Sequence, residues 1–395
     1  MVEGLAEAHA LPLGSVVAGS AVSFVQRGAS SVRAASGLIE GFRGVSQASA
    51  GLVFLAGSLG ERVEEVAGAL AGAGLGFPVL VASGAGVLTE RAELEGEPAA
   101  VALALRTGKP EAIVTQAQNA GDAASALATR LAALGRGQAS TALVFAKADG
   151  FGVDAIEPLY ASRTANIIGA GTPGPAPIAA VDREGRLGLG MCGALLVRGV
   201  TPARVRSSPA CRLLMPLRPI TGARGPLLTE IAGEPALEVL QSAARGLSGQ
   251  PLILAVIAPE TREEESGRPE FVVRGIQGVD PARGALALGG ELKPGWRIAF
   301  AVRDAAAARA DLELCTRDLA REAAGAAPLF GVYVSCAGRG SQLYENPDVD
   351  LRVVRSRFPD VPFVGLHSAF EIAPFDGRAA VHFYTGVLGL FTAPS

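Results

Sequence analysis

The residues best suited to chemistry lie near the C-terminus. Ser335-Cys336-Ala337-Gly338-Arg339-Gly340 follows a buried apolar run. Small residues there let successive backbone N–H groups turn outward together, a concave shape that suits an anion. Arg339 adds a planar fork matched to carboxylate or phosphate, and Cys336 places a thiol at the strand end facing the same space. A tight turn with a surface arginine in an ion pair fits the same residues, and the spacing leaves both readings open. Glu371 stands between Phe370 and Ile372. An acid between apolar residues is costly to bury unpaired, so it is expected to pair with Arg339 or to bind an amine. His382 alternates with Tyr384 and Leu388 on one strand face, where a histidine is more often a satisfied core residue than a ligand.

Other chemistries are excluded by spacing. Cys192, Cys211, Cys315 and Cys336 form no CxxC or CxxCH, which removes the usual zinc-ribbon, iron–sulfur and covalent haem sites. The three histidines, His9, His367 and His382, make no HExxH, and no metal site is expected. Gly169-Ala170-Gly171-Thr172-Pro173-Gly174 satisfies GxGxxG, but Pro175 and Pro177 occupy the place where a phosphate-facing helix has to start. That segment reads as a turn. Neither GxxxxGK[ST] nor GxSxG occurs. The chain therefore reads as non-enzymatic, with Cys336 as the single candidate nucleophile and His367 or His382 as its only available histidine base.

Composition narrows the partners. The 395 residues carry 35 Lys and Arg against 38 Asp and Glu, a net charge of −3 that argues against a nucleic-acid binder. Hydrophobic residues are 49% and charged residues 18%, the reverse of a disordered chain. With 51 Gly and 25 Pro, the chain is expected to consist of many short elements joined by tight turns. The uncharged stretch from Ala8 to Gln26 follows Glu3 and Glu7 rather than a basic segment, unlike a secretory signal. The uncharged tail from Ala379 is too short and turn-rich to span a bilayer. A cytoplasmic protein with no membrane insertion is expected.

The elements that must position these residues form an imperfect internal repeat. Three copies open at Leu52-Val53-Phe54, Leu143-Val144-Phe145 and Phe330-Gly331-Val332. Each reads as strand, glycine-bearing loop, helix, strand, small-residue loop and strand. Helices are predicted over Glu61 to Ala73, from a cap at Asp122 to a stop at Gly135, from Asp304, and from Asn346 with Pro347 in the first turn. A single last strand is predicted from Ala380 to Phe391. Such alternation predicts an α/β (α+β) fold of duplicated mixed β-sheet modules with helices on the outer faces, in αββα-like layers. The Pro- and Arg-rich segment Val200 to Gly225 reads as a connection, dividing the chain into domains 1–199 and 200–395.

These features resemble the FIST family, whose paired N and C domains form a sensory module of bacterial signal transduction and of a eukaryotic F-box ubiquitin-ligase subunit. The resemblance runs from about Gly14 to Phe391. It rests on Pro78-Val79-Leu80-Val81-Ala82-Ser83-Gly84-Ala85-Gly86, Cys211-Arg212, Ile220-Thr221, Val273-Arg274-Gly275-Ile276, Ser335 to Gly340, Phe370-Glu371-Ile372 and His382-Phe383-Tyr384-Thr385. The family's usual Gly-Glu is Phe370-Glu371 here. The resemblance implies a non-enzymatic sensor of a small polar ligand, amino-acid-like or anionic, that signals through a protein partner in trans. Cys336, Gly338, Arg339 and Gly340 would hold an anionic group and Glu371 an amine, with Arg274, Arg212, Thr221 and His382 completing the set. No cofactor is expected unless the protein is a haem-based nitric-oxide sensor, as some bacterial members are, in which case His382 or His367 is the axial ligand. A ligand-free adaptor is the remaining alternative.

Overall fold

One β-α-β-α-β pattern is laid down three times. The computed structural model describes residues 19–134, 140–160, 166–249, 251–260 and 270–394. The first copy comprises β1 (Ala21–Arg27), α1 (Ser31–Gly44), β2 (Ala50–Ala56), α2 (Val63–Gly72), β3 (Val79–Ser83), the hairpin β4 (Gly86–Thr89) and β5 (Glu93–Glu95), and β6 (Ala99–Leu105). The second comprises β7 (Glu111–Thr115), α3 (Ala120–Leu134), β8 (Ser140–Lys147), the short α4 (Glu157–Tyr160), β9 (Asn166–Thr172), the hairpin β10 (Ile178–Val181) and β11 (Leu187–Gly190), and β12 (Cys192–Arg198).

The third copy begins with β13 (Arg204–Pro209) and is then interrupted. The insertion contains β14 (Cys211–Leu213), β15 (Arg218–Arg224), β16 (Leu227–Ile231), β17 (Glu234–Pro235), α5 (Ala236–Ala243), β18 (Ile253–Ala258), β19 (Val272–Asp280), β20 (Ala285–Leu288) and β21 (Arg297–Arg303). The copy resumes with α6 (Ala305–Glu322), β22 (Pro328–Cys336), α7 (Gly340–Tyr344), α8 (Val349–Arg357), β23 (Phe363–Ser368), the hairpin β24 (Phe370–Phe375) and β25 (Arg378–His382), and β26 (Thr385–Thr392). Thus Val200 to Gly225 carries β13, β14 and β15 rather than a bare connection.

The three sheets share one strand order: β1-β6-β2-β3, β7-β12-β8-β9 and β13-β26-β22-β23. In each, the two inner strands joined by a helix run parallel. β2, Ala-Gly-Leu-Val-Phe-Leu-Ala, is buried at every position, as a strand covered on both faces must be. The hairpins do not stay with their own copies. β4 pairs with β23, β10 pairs with β3, and β24 pairs with β9, so each sheet is completed by the hairpin of another copy. Strand pairing therefore crosses position 199/200 twice.

The three sheets turn one face each to a common core containing Phe54, Phe145, Phe330 and Phe391. Helices cover the outer faces, α1 and α2 on the first sheet, α3 on the second, α6 and α8 on the third. This is the mixed α/β architecture of repeated sheet modules that the sequence predicts. In the insertion, β21, β15, β16, β20, β19 and β18 pair in succession and β18 closes back on β21, forming an antiparallel barrel filled by Ile298, Phe300, Leu286 and Ile257.

Local differences have local causes. Asn119 rather than Asp122 caps α3, accepting the Asp122 N–H at 2.9 Å; the predicted stop at Gly135 lies outside the described residues. The helix predicted from Pro347 starts at Val349, because Asp348 takes a left-handed φ of 58° that a helix cannot contain. The single last strand is broken at Phe383-Tyr384, where Tyr384 has φ 55°. His382 and Tyr384 therefore do not share a strand face. Among the described residues, no helix is long and apolar enough to cross a membrane.

Candidate functional site

Arg339 has an interior role. Its side chain is fully buried. Nε donates to Asp350 Oδ2 at 2.7 Å and one Nη to Asp350 Oδ1 at 3.3 Å, while the remaining bonds go to the Ser208 carbonyl at 2.6 Å, Ser208 Oγ at 3.3 Å and the Ala308 carbonyl at 3.1 Å. Asp350 also accepts the hydroxyls of Tyr333 and Tyr344, both at 2.7 Å. Burial alone would raise the Asp350 carboxyl, but the Arg339 charge and these hydrogen bonds outweigh it and hold the group below its ordinary value. A guanidinium so fully engaged has no fork left for a ligand. The expectation that Arg339 grips an anion, or pairs with Glu371, is corrected: its partner is Asp350 on α8, and it ties α8 to β13 and α6. Gly340 is buried beside it, and any Cβ there would collide with the Glu95 carboxylate.

The neighbouring residues face the other way. Cys336, Ala337 and Gly338 are partly exposed where β22 ends, beside the end of β21 and the Phe383-Tyr384 corner. Arg303, the last residue of β21, donates to the Gly338 carbonyl and lies over the Tyr384 ring, 5.9 Å from its centroid. Its Nε is buried without a hydrogen-bond partner, and among the described residues no carboxylate lies within ion-pair distance of it. Burial pushes the Cys336 thiol up to about 11, and the nearby Glu371 carboxyl adds to the rise. The backbone N–H groups of Gly338 and Tyr384 and the Arg303 charge oppose it. Cys211, at the start of β14, is pushed up by burial to about 12, with Arg303 again opposing.

Glu371 lies in the interior close to Cys336. It is fully buried, and burial raises its carboxyl to about 8 despite hydrogen bonds from Ser368 and the Thr385 N–H. Ser368 Oγ lies 3.0 Å from the Ser335 carbonyl and 2.8 Å from Glu371 Oε1. One hydroxyl has one proton. When the carbonyl takes it, a protonated Glu371 completes the second bond, in keeping with a carboxyl that stays neutral at pH 7. The cluster thus joins a buried acid and a thiol, both raised by burial, to a guanidinium that has no carboxylate partner among the described residues.

The other predicted residues divide. Arg274 on β19 is buried, donates to the Val273 and Val381 carbonyls at 3.0 and 2.9 Å, and sits 5.8 Å from the Phe383 ring centroid. Burial lowers it to about 10. His382 lies near it, and burial together with the Arg274 charge pushes the imidazole down to about 3, so it is neutral. Arg274 thus packs on Phe383 of the corner, and Arg303 on Tyr384. Arg212 and Thr221 are on the surface instead. Arg212 pairs with Asp304 at 3.2 Å, and Thr221 Oγ1 accepts the Gly233 N–H at 3.0 Å. Haem does not fit the two histidines: His382 and His367 are 0% and 1% exposed, so neither imidazole offers a face for a macrocycle. Arg303 escaped the sequence reading; its one signal is its position at the end of an apolar strand, directly before the Asp304 helix cap.

The fold is mixed α/β, and Arg303, Cys336, Gly338 and Tyr384 come together where the third sheet meets the inserted barrel. Family models for the FIST N domain and the FIST C domain match residues 49–234 and 236–374. The chain belongs to the FIST family, whose domains are sensory domains of signal-transduction proteins and generally non-enzymatic. It is 32% identical over 191 residues to an uncharacterized protein of Mycobacterium tuberculosis (strain ATCC 25618 / H37Rv), covering 47% of this chain and 49% of the relative. It is 33% identical over 178 residues to an uncharacterized protein of Mycobacterium bovis (strain ATCC BAA-935 / AF2122/97), covering 44% and 46%. The matched region thus spans about half the length of these relatives. The two family matches meet near residue 235, inside the barrel insertion.

Proposed function

We propose that this FIST protein senses a small polar ligand bearing a carboxylate, held in the niche between Arg303, Cys336, Gly338 and Tyr384, and passes the signal to a protein partner in trans. The observation that carries this reading is the Arg303 guanidinium, half-buried, with no carboxylate partner and with an orphaned Nε. A cation desolvated without a counter-charge favours an incoming anion. An amino acid suits this arrangement, because a carboxylate answers Arg303 and its amine reaches the carbonyl and thiol side of the rim.

The raised thiol argues against the Cys336-nucleophile reading, since the reactive form is the thiolate. The test is a thermal-shift screen of the full chain against amino acids and short carboxylic acids. At least one carboxylate should raise the midpoint, and Arg303→Ala should abolish the rise while leaving circular dichroism unchanged. A carboxylate that stabilises Arg303→Ala as well as the parent protein overturns the assignment.

A further inference from the structure

We propose that Glu93, Glu95 and His367 hold one divalent transition-metal ion, and that this ion clasps the β4–β5 hairpin to the sheet that receives it. The three side chains converge although they come from distant parts of the chain. Glu93 and Glu95 lie on β5, at the edge of the exchanged hairpin, and His367 lies on β23, with which β4 pairs. One ligand atom from each lies within 4.8 Å of the other two.

The details go beyond an acidic cluster. The His367 and Glu93 side chains are each 2% exposed, with Nε2 and Oε1 3.0 Å apart. The two groups form an ion pair with each other, but the contact is not aligned as a hydrogen bond, and no other group bonds the Glu93 oxygens or the His367 nitrogens. Hydrogen bonds need alignment as well as proximity. Two ligands at right angles, each roughly 2.1 Å from a shared ion, stand about 3.0 Å apart. The ion pair therefore already holds two ligand atoms at the separation that a six-coordinate ion requires, and a tetrahedral ion needs them only about 0.4 Å further apart. Glu95 is held for the same task by the Ser341 N–H at 2.9 Å and Ser341 Oγ at 3.0 Å, which leaves lone pairs on both oxygens. Gly340 permits its approach, since a side chain there would occupy the position of the carboxylate. Glu95 is half-buried, giving an ion a way in.

One imidazole and two carboxylates match the zinc and manganese class better than the all-oxygen shells of calcium or magnesium. The cluster and Arg303 flank the same turn, at Gly340 and Gly338, but share no residue, so each proposal has its own deciding variant.

The experiment uses the untagged full chain, stripped with EDTA, passed into metal-free buffer and titrated calorimetrically with ZnCl2 and with MnCl2. One ion should bind per chain for at least one of the two metals and raise the thermal midpoint. Glu95→Gln and His367→Gln should each weaken binding by about tenfold or more, and Cys336→Ser should leave it unchanged. His367 is buried and its replacement risks misfolding, so Glu95→Gln, on the rim, carries the decision once circular dichroism shows it folded. The absence of saturable binding of either ion overturns the proposal, as does binding that a folded Glu95→Gln variant retains in full.

Discussion

Two arginines stand on either side of the turn after β22, and they differ in one respect. Arg339 is buried with every polar neighbour matched, by Asp350, Ser208 and Ala308. Arg303 is half-buried, donates to one carbonyl, and keeps an orphaned Nε. The first is a fastening between elements; the second is an unfinished interaction. Burial and a glycine-rich neighbourhood do not distinguish the two; their unsatisfied donors do.

The sharpest way to break this contrast is Asp350→Ala. It leaves Arg339 charged and enclosed without its partner, and it also strands the hydroxyls of Tyr333 and Tyr344. Losing one member of a buried ion pair costs about 3–5 kcal/mol, so urea denaturation should show a large fall in stability or an unfolded protein. Arg303→Ala, by comparison, should stay near the parent value. An unchanged midpoint in Asp350→Ala would mean that Arg339 does not depend on that pair.

A smaller effect concerns the buried Glu371. The Glu371 carboxyl is raised from 4.5 to about 8 in the folded protein. Between those values the unfolded chain has released the proton while the folded chain keeps it, so this group makes stability fall as pH rises. His382 works in the opposite sense lower down. Its folded value of about 3, below the ordinary 6.5, means that stability is lost as pH drops through that range. Glu371→Gln should therefore flatten the decline above pH 6.5 relative to the parent protein, as read from thermal midpoints at pH 6, 7 and 8. Parallel curves for the two proteins would show that the carboxyl is already ionised.

The smallest expected effect is kinetic. With the Cys336 thiol raised to about 11, iodoacetamide should modify it at pH 7.5 more slowly than it modifies glutathione, as followed by mass spectrometry. Faster modification would restore the nucleophile reading and shift the niche from binding toward catalysis.

Much of the architecture was legible because it is written locally. The apolar runs at Leu52, Leu143 and Phe330 mark the buried parallel strands of all three copies, and Asp304 caps α6 as its side chain demands. The exchange of hairpins was not legible. β4, Gly-Val-Leu-Thr, carries an apolar pattern that suits any sheet edge, and nothing within it selects β23. Among the residues singled out in the sequence, Cys336 and Gly338 lie beside Arg303. Arg339 was misdirected, because Asp350 looks like any acid in the first turn of a helix. The contact that defines it becomes visible only when α8 packs against β22 and α6.

The borrowed hairpins also govern how this chain can be made. When β9 first forms, β24, the strand that will cover its edge, lies far downstream and has not yet been synthesised. An uncovered strand edge invites pairing with other chains, so the nascent protein has to shield that edge until β24 has emerged. Cutting the chain between the two matched regions would strand β9 without its cover and β23 without β4, and would yield two sticky fragments in place of two working halves.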